Sequence, residues 1–298
     1  MLDVCLLGTG GTMPLPNRFL TSLLTRINGD MLLIDCGEGT QVSIKMLGWG
    51  FKYINVICIT HFHADHISGL PGILLAIANS DRREPLVIMG PAGIKRVVES
   101  LRVIVPELPY QIEYYEVNGV MSFPGFTVSA LPVEHRSVCY AYKLEVARQG
   151  KFDHERAKAL NLPVKYWSYL QRGETVAYQG NEIVPDMVMG PPRKGLKLCY
   201  ATDLRPSKKL TEFIRDSDLY VGEGVYGDDD KSQKAKDYKH TLISETCRIA
   251  KSANVKELWL THFSPSMSDP HAYGKLAKSI FQNAVIGRDR MVKTLRFE

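Results

Sequence analysis

The sequence predicts an α/β protein with a four-layer αββα sandwich. Short apolar runs typical of strands alternate with longer runs typical of helices through two halves of the chain. Histidine and acidic residues directly follow several predicted strands, most densely in residues 60–66 (Thr-His-Phe-His-Ala-Asp-His). Residues 258–263 repeat the pattern of residues 57–62 almost position by position, which indicates two related halves. We therefore expect the site of chemistry to lie along one edge of the sandwich.

Length and composition are those of an ordinary globular protein. The chain has 298 residues, of which 45% are hydrophobic and 23% charged, enough to form one large domain over residues 1–298. No apolar run approaches the roughly 18 residues of a membrane span, and the first residues lack the pattern of a signal peptide. We therefore expect a cytoplasmic protein that does not enter a membrane.

The cysteines and the net charge restrict the kinds of site and partner that the chain can have. The six cysteines never form a C-x-x-C pair and mostly lie in apolar runs, so neither disulfides nor a cysteine zinc site is predicted. The net charge of +5 mildly favours an anionic partner.

The first elements are a strand, a glycine-rich loop and a hairpin. Residues 2–7 predict a strand that runs into Gly8-Thr9-Gly10-Gly11-Thr12, where glycines let backbone amides approach a ligand. Residues 20–27 and 31–35 predict a hairpin through Asn28-Gly29, followed by a turn and a helix that ends at Leu47.

The histidine motif lies between the apolar run 56–59, a predicted buried strand, and the predicted helix 73–77. On an extended segment alternate side chains share a face, so His61 and His63 can reach one cation while Asp65 and His66 point at a second. Imidazole and carboxylate without thiolate suit zinc, and manganese or iron also fit. A solvated, metal-free loop is the alternative reading.

The middle of the chain continues with a strand at 86–89, a helix opened by Pro91, and strands near 111–116, 126–131 and 140–146. His135 lies between the last two, just past a strand end. Taken alone, a histidine in such a position is more often partly buried or on the surface than a metal ligand.

Residues 143–197 have a different composition. Ten Lys or Arg against six Asp or Glu give this segment a charge of +4, and prolines and glycines interrupt its apolar pattern. Aromatic residues are interleaved with the cations, which suits RNA backbones and stacked bases. An ordinary surface excursion with its own small apolar cluster explains the composition equally well.

Core-like sequence resumes with a strand at 198–201 that leads to Asp203 and a strand at 219–221 that leads to Glu223. His240 precedes a helix predicted over 242–251, and the run 258–261 leads to His262. Each of these polar residues thus stands close to the end of a predicted element.

The H-x-H-x-D-H motif resembles that of the metallo-β-lactamase superfamily, whose fold is the αββα sandwich. Within it the chain most resembles ribonuclease Z, a family of endonucleases that trim the 3′ end of precursor transfer RNA (tRNA). The resemblance extends from Gly8-Thr9-Gly10 through residues 35–40, the histidine motif and Gly190-Pro191-Pro192 to residues 261–265.

The resemblance implies two Zn²⁺ ions, with Mn²⁺ or Fe²⁺ as alternatives. His61, His63 and His135 would bind the first ion, and Asp65, His66 and His262 the second, with Asp203 bridging. Such a pair fits phosphodiester hydrolysis that leaves a 3′-hydroxyl on the tRNA. Asp65 would take a proton from the attacking water.

The resemblance also implies that Glu223 and His240 protonate the leaving 3′ oxygen. Here the usual His-Glu-Ala-Thr setting reads Gly222-Glu223-Gly224-Val225, so the glutamate is kept and its neighbours differ. A plain structural ion pair is the alternative.

A third implication is an inserted flexible arm over residues 148–190, an exosite for the tRNA in a homodimer. Its usual Gly-Pro-rich core is replaced by residues 162–170 (Leu-Pro-Val-Lys-Tyr-Trp-Ser-Tyr-Leu). The bacterial P-x-K-x-R-N loop reads Pro-Leu-Pro-Asn-Arg-Phe at 14–19, without the lysine and the asparagine. The expected RNA contacts are Arg18, Lys151, Lys165, Trp167 and Arg172.

Two other functions fit parts of the pattern. A phosphodiesterase or sulfatase acting on a small molecule needs the metals but has no use for a basic, aromatic arm. A non-catalytic RNA-binding module that kept the fold would have no use for a complete set of metal ligands.

Overall fold

The computed structural model describes residues 1–298 and divides them into two compact units. The larger unit comprises residues 1–145 and 197–296, and the smaller comprises residues 146–196 with 297–298. The predicted arm, residues 148–190, falls within the smaller unit.

Sixteen strands form three sheets. In chain order they are β1 (Leu2–Gly8), β2 (Ser22–Ile27), β3 (Asp30–Ile34), β4 (Ile54–Cys58), β5 (Leu86–Gly90), β6 (Ile112–Glu116), β7 (Val120–Phe123), β8 (Phe126–Val133), β9 (Cys139–Arg148), β10 (Val176–Tyr178), β11 (Asn181–Ile183), β12 (Arg193–Ala201), β13 (Leu219–Glu223), β14 (Leu258–Thr261), β15 (Ala284–Ile286) and β16 (Met291–Leu295).

Ten α-helices connect them. They are α1 (Thr40–Leu47), α2 (Ala64–Ile67), α3 (Leu70–Ala78), α4 (Ile94–Leu101), α5 (His154–Ala159), α6 (Trp167–Gln171), α7 (Lys208–Phe213), α8 (Ser232–Tyr238), α9 (Ile243–Ser252) and α10 (Gly274–Ile280). None is long and apolar enough to cross a membrane.

The two large sheets are mixed. The first has the order β16-β1-β2-β3-β4-β5-β6 and is parallel from β3 to β6, and the second has the order β15-β14-β13-β12-β9-β8-β7 and is parallel from β12 to β15. Since parallel strands end at the same edge of a sheet, the residues that follow β4, β12, β13 and β14 gather along one edge of each sheet.

Both faces of the first sheet are buried. On β1, Cys5 and Leu7 pack with α1 and α3, while Val4 and Leu6 are fully buried on the other face. The second sheet packs on α7, α9 and α10 through its own cluster, which includes Cys247 and Leu260. Burial on both faces explains why several strands are continuous apolar runs. All six cysteines are free and buried.

Hydrogen bonds between the sheets fix their relative position. The Tyr142 hydroxyl on β9 donates to the carbonyl of Ile59 at 2.8 Å, and the Tyr200 hydroxyl on β12 donates to the carboxylate of Asp35 at 3.2 Å. These tyrosines span the layer between the sheets and hold the ends of β3 and β4 against the second sheet.

The smaller unit folds around a cluster of its own. Its buried members are Ala157, Leu162, Leu170, Val176, Ile183 and Val188. Helices α5 and α6 and the hairpin β10–β11 supply four of them, and Leu162 and Val188 lie in the connecting segments. The segment therefore contains ordered elements despite its interrupted apolar pattern.

Candidate metal centre

Seven predicted ligands converge at the edge where these strands end. His61 and His63 lie in the loop after β4, and Asp65 and His66 lie within α2. The remaining three follow strands: His135 follows β8, Asp203 follows β12 and His262 follows β14.

The first group consists of His61, His63 and His135. Nε2 of His61 lies 2.9 Å from Nδ1 of His63, which lies 3.4 Å from Nε2 of His135. These three ring nitrogens lie within 4.8 Å of one another, a spacing at which one cation can bind all three.

The second group consists of Asp65, His66 and His262. The Nε2 atoms of the two imidazoles are 3.2 Å apart, and Oδ2 of Asp65 lies 3.6 Å from the nitrogen of His66 and 3.5 Å from that of His262. This group therefore offers two nitrogens and one oxygen to a second point.

Asp203 lies between the groups. Its Oδ1 is 3.8 Å from Nε2 of His135, and its Oδ2 is 3.1 Å from Nε2 of His66 and 3.2 Å from Nε2 of His262. The two oxygens of one carboxylate thus face different groups, as in a bridging ligand.

The backbone is strained at two of the proposed ligands and at Asp35, a neighbour of the site. Asp35, Asp203 and His262 have φ values of 60°, 57° and 58°, in the left-handed region that non-glycine residues rarely adopt. Each is the turn residue that aims a side chain at the site after a strand. Such strain persists where the surrounding structure imposes it, typically at functional sites.

The glycine-rich loop packs directly against this site. A β-carbon on Gly11 would lie 2.8 Å from the ring of His262, so only glycine fits there. The backbone N–H of Gly11 donates to Phe263, and that of Thr12 donates to Asp65 at 2.7 Å. In the structure these amides donate to acceptors within the chain, and the amide of Thr12 fixes one of the proposed ligands.

A second ring of contacts orients the imidazoles. Nδ1 of His61 lies 3.0 Å from the Thr60 hydroxyl, and Nδ1 of His135 lies 3.3 Å from the carbonyl of Lys239. Nδ1 of His66 lies 2.8 Å from the carboxylate of Asp35. Such contacts select the tautomer that presents Nε2 to a metal.

The role of Asp35 was missed by sequence reasoning, which assigned it only to a turn. The available signal was its position directly after the apolar strand β3, the same kind of position that the predicted ligands occupy.

Glu223 and His240 form a buried pair beside the ligands. Nδ1 of His240 lies 3.2 Å from Oε2 of Glu223. Glu223 also accepts the backbone N–H groups of Asp203 and Thr241 at 2.8 and 2.5 Å. Because these donors occupy its oxygens, Glu223 is suited to orient His240 and Asp203 rather than to bind a cation.

The donor set fits divalent cations. Imidazole nitrogens 2.9 to 3.4 Å apart repel unless a proton or a cation lies between them, and protons alone satisfy only pairs of nitrogens. Oδ2 of Asp203 and Nδ1 of His262 are buried and make no hydrogen bond. Five imidazoles and two carboxylates in two overlapping groups suit a dinuclear centre.

The electrostatics of the metal-free chain follow from burial and the two Asp charges. Burial, reinforced by His66, lowers the pKa of His61 to about 2, so its imidazole is neutral. Burial opposes the charges of Asp65 and Asp203, but the surrounding imidazoles outweigh it and hold both pKa values below the usual range.

Two histidines have raised pKa values instead. Burial opposes protonation of His66, but the carboxylates of Asp203 and Asp35 raise its pKa well above the usual value. Burial likewise opposes protonation of His240, and the Glu223 carboxylate overcomes it and raises the pKa of His240 to about 9. His240 therefore carries a proton at neutral pH.

The chain is similar over its full length to several ribonucleases Z. That of Clostridium kluyveri is 52% identical over 302 residues, with 100% of both chains covered. That of Lachnospira eligens is 50% identical over 301 residues and covers 100% of this chain and 99% of its own. The chain belongs to the ribonuclease Z family. It is therefore a metal-dependent endoribonuclease.

Solved structures agree on the fold. Human tRNase Z, short form, has a TM-score of 0.70 at 22% identity and covers 99% of this chain and 100% of its own. The metallo-β-lactamase fold protein YhfI from Bacillus subtilis has a TM-score of 0.71 at 19% identity, with 98% of each chain covered. The predicted metallo-β-lactamase fold is confirmed.

Residues 2–122 also match the family described as anti-Pycsar protein Apyc1. The match covers strands β1 to β6 of the first sheet, the histidine motif and most of β7. It does not reach β16 or the residues His135, Asp203, Glu223, His240 and His262. It therefore covers only the half of the ribonuclease Z chain that carries the histidine motif.

The predicted RNA contacts of this ribonuclease Z lie outside the metal centre. Arg18 donates to the carbonyls of Met267 and Ser268 at 2.9 and 3.0 Å, which fixes the loop that carries it. Lys151 and Lys165 are exposed. The half-buried indole of Trp167 donates to the carbonyl of Leu162 at 3.0 Å, and Arg172 pairs with Glu174 at 2.7 Å.

Proposed function

We propose that this ribonuclease Z cleaves the 3′ trailer from precursor tRNA with two Zn²⁺ ions and leaves a 3′-hydroxyl on the tRNA. The observation that carries the proposal is the convergence of the two ligand groups on either side of Asp203. His61, His63 and His135 would hold one ion, and Asp65, His66 and His262 the other. When bound, the two ions activate water and neutralise the charge that develops on phosphorus.

The charge of the site suits an anionic substrate. When metals are bound, the imidazoles would be neutral and the ligand set would carry only the charges of its two carboxylates, which would leave part of the charge of two divalent cations uncompensated. A phosphodiester supplies the missing negative charge.

Asp65 would accept the proton of the attacking water. Its Oδ2 receives the N–H of Thr12 at 2.7 Å, which fixes the carboxylate beside His66 and His262. Its depressed pKa keeps it ionised in the resting protein. A fixed, ionised carboxylate beside the place where bound metals would hold a water would be positioned to accept its proton.

His240 would donate a proton to the leaving 3′ oxygen. Its Nδ1 faces Glu223, so Nε2 is the nitrogen that remains for the substrate. In the metal-free chain the carboxylate of Glu223 raises the pKa of His240, and the same contact would favour the protonated ring that a general acid requires. The pair keeps this geometry although Gly222 and Gly224 replace the usual neighbours of the glutamate.

Residues 148–190 would form the arm that binds tRNA away from the metal centre. Within residues 146–196 there are eight Lys or Arg and five Asp or Glu, and Lys151 and Lys165 are exposed cations there. A groove of about 410 Å³ beside Lys165 is lined by Tyr166 and Tyr169. Exposed cations with aromatic rings suit a phosphate backbone and stacked bases.

A homodimer would cover an apolar patch on the first sheet's outer helices. The patch comprises Val42 and Met46 on α1, Leu75 on α3, and Val103 and Ile104 after α4, with Ile104 76% exposed. The helix α3 contacts both α1 and the 3₁₀ turn at residues 102–104, and exposed apolar groups on neighbouring elements are typical of interaction surfaces. Sedimentation of wild-type protein should show a dimer, and Ile104→Glu should shift it toward monomer; a monomeric wild type would contradict this assignment.

The test of the function is cleavage of a 3′-extended precursor tRNA by the purified metal-loaded protein. We expect one product that ends in a 3′-hydroxyl next to the tRNA body and a trailer with a 5′-phosphate. Hydrolysis of small phosphodiesters with no cleavage of the precursor would favour the small-molecule phosphodiesterase instead.

A further inference from the structure

A cavity of about 270 Å³ opens beside the metal centre. His240 and His262 form part of its wall, while Tyr226, Tyr238 and Lys234 form another part. Its volume is just below the roughly 300 Å³ at which small-molecule sites begin, so it would suit one small planar group such as a base rather than a larger ligand. None of these three residues has a role in metal binding or proton transfer.

Tyr238 presents an aromatic ring to solvent at this cavity. It is 46% exposed although it lies two residues from His240. The guanidinium of Arg136 lies over its ring at 4.4 Å, and Nη2 of Arg136 donates to the carbonyl of Asp237 at 3.0 Å. A ring that is held on one face by a fixed cation is a stacking platform on the other.

Tyr226 forms the floor of the same cavity. It is buried and packs with Val225, Ala235 and Leu242, so its ring is rigidly placed. The ammonium of the exposed Lys234 lies 5.3 Å from the centre of that ring. The cavity wall thus combines an aromatic platform, a rigid floor and the ammonium of Lys234, a combination suited to a base and its phosphate.

We propose that this cavity binds the last nucleotide of the tRNA body, with its base stacked on Tyr238. His240 decides on which side of the scissile phosphate the cavity lies. It lines the cavity and, in the proposed function, gives its proton to the leaving 3′ oxygen. The nucleotide that carries this oxygen would therefore lie next to His240. The proposal rests on the proposed function. Because every base has a π face, the platform accepts any base at this position.

The test compares two proteins on two substrates, in all four combinations. Both proteins are full-length and metal-loaded, and kcat/KM is measured from single-turnover cleavage. The proteins are wild type and Tyr238→Ala, and the substrates carry either a base or an abasic site at the last body nucleotide. Each single change should lower kcat/KM by roughly 5- to 100-fold. The two changes together should cost no more than one, since both remove the same stack.

Two further variants separate stacking from a structural effect. Tyr238→Phe keeps the ring and should retain wild-type rates, whereas Tyr115→Ala, an equally exposed tyrosine on β6, should have no effect. Metal content and melting temperature should be unchanged in all variants. Losses in Tyr238→Phe as large as in Tyr238→Ala would overturn stacking.

The remaining outcomes each contradict a different statement. If the losses in kcat/KM from Tyr238→Ala and from the abasic site add fully in free energy, or if neither change lowers kcat/KM, Tyr238 does not contact the base. A third substrate carries its abasic site at the first nucleotide of the trailer. If this abasic site lowers kcat/KM in wild type but not in Tyr238→Ala, the cavity binds the trailer and not the tRNA body. Wild-type protein that fails to cleave next to the tRNA body contradicts the proposed function, and the cavity proposal falls with it.

Discussion

The buried carboxylate of Asp35 lies 2.8 Å from Nδ1 of His66 and ties both ligand groups together. It also accepts the backbone N–H of Thr60 at 2.8 Å, and the hydroxyl of Thr60 lies 3.0 Å from Nδ1 of His61. The Tyr200 hydroxyl reaches the same carboxylate from the second sheet. One aspartate thus sets the orientation of a histidine in each group.

We therefore predict that Asp35→Asn weakens metal binding by roughly 10- to 100-fold, since the amide removes the negative charge that holds His66. Metal affinity measured by competition with a chelator is the readout. Asp30→Asn is the matched control, because Asp30 begins the same strand and contacts Asn55 away from the site. Equal metal affinity in the two variants would remove Asp35 from the support of the centre.

Metal removal should abolish cleavage, and metal analysis of active protein should find about two ions per chain.

Asp203→Ala should lower metal content and activity more than alanine at His63, His135 or His262 does, because the two oxygens of Asp203 face both ligand groups. Full activity in Asp203→Ala, or activity at near-zero metal content, would contradict a dinuclear centre.

The local motifs of the site could be predicted from sequence because their spacing determines their geometry. The histidines of residues 61–66 follow one strand, and the repeat at 258–263 places His262 at the end of another. The role of Asp35 in orienting the histidines could not be predicted, because its partners Thr60, His66 and Tyr200 are 25, 31 and 165 residues away in the chain. Only the packed sheets bring them together.

Most strands and the longer helices were likewise predictable from apolar runs and turn residues. The prediction missed β7, whose burial pattern is weak, and α7, which is short and opened by the side chain of Ser207. It also missed β16, which is defined by pairing with β1 at the other end of the chain. The composition of residues 143–197 could not decide between an arm and a surface excursion.

His240→Ala should lower the rate of precursor cleavage by roughly 10²- to 10⁴-fold with metal content unchanged. The reason is that an alkoxide leaving group needs the proton that His240 supplies. Hydrolysis of bis(p-nitrophenyl) phosphate should fall much less, because nitrophenolate leaves without a proton. Equal losses on both substrates would assign His240 to positioning instead of proton transfer.

The last prediction is that RNA binding and chemistry are separable. None of the seven proposed ligands lies in residues 146–196. The two ends of the predicted arm lie next to each other, because the N–H of Gly190 donates to the carbonyl of Lys151 at 2.7 Å and Phe152 forms a β-bridge with Met189. A short Gly/Ser linker in place of residues 152–188 can therefore join Lys151 to Met189 without stretching the chain.

The shortened protein should keep its metals and hydrolyse bis(p-nitrophenyl) phosphate at the wild-type rate, because this ester is too small to reach an arm. Affinity for precursor tRNA should fall, and the salt dependence of binding should flatten by about 0.7–0.9 log units for each phosphate that the protein no longer neutralises. Titrations of both proteins against precursor tRNA at several salt concentrations measure this. An unchanged salt slope would show that the segment does not bind RNA, and loss of both activities would show that it belongs to the catalytic core.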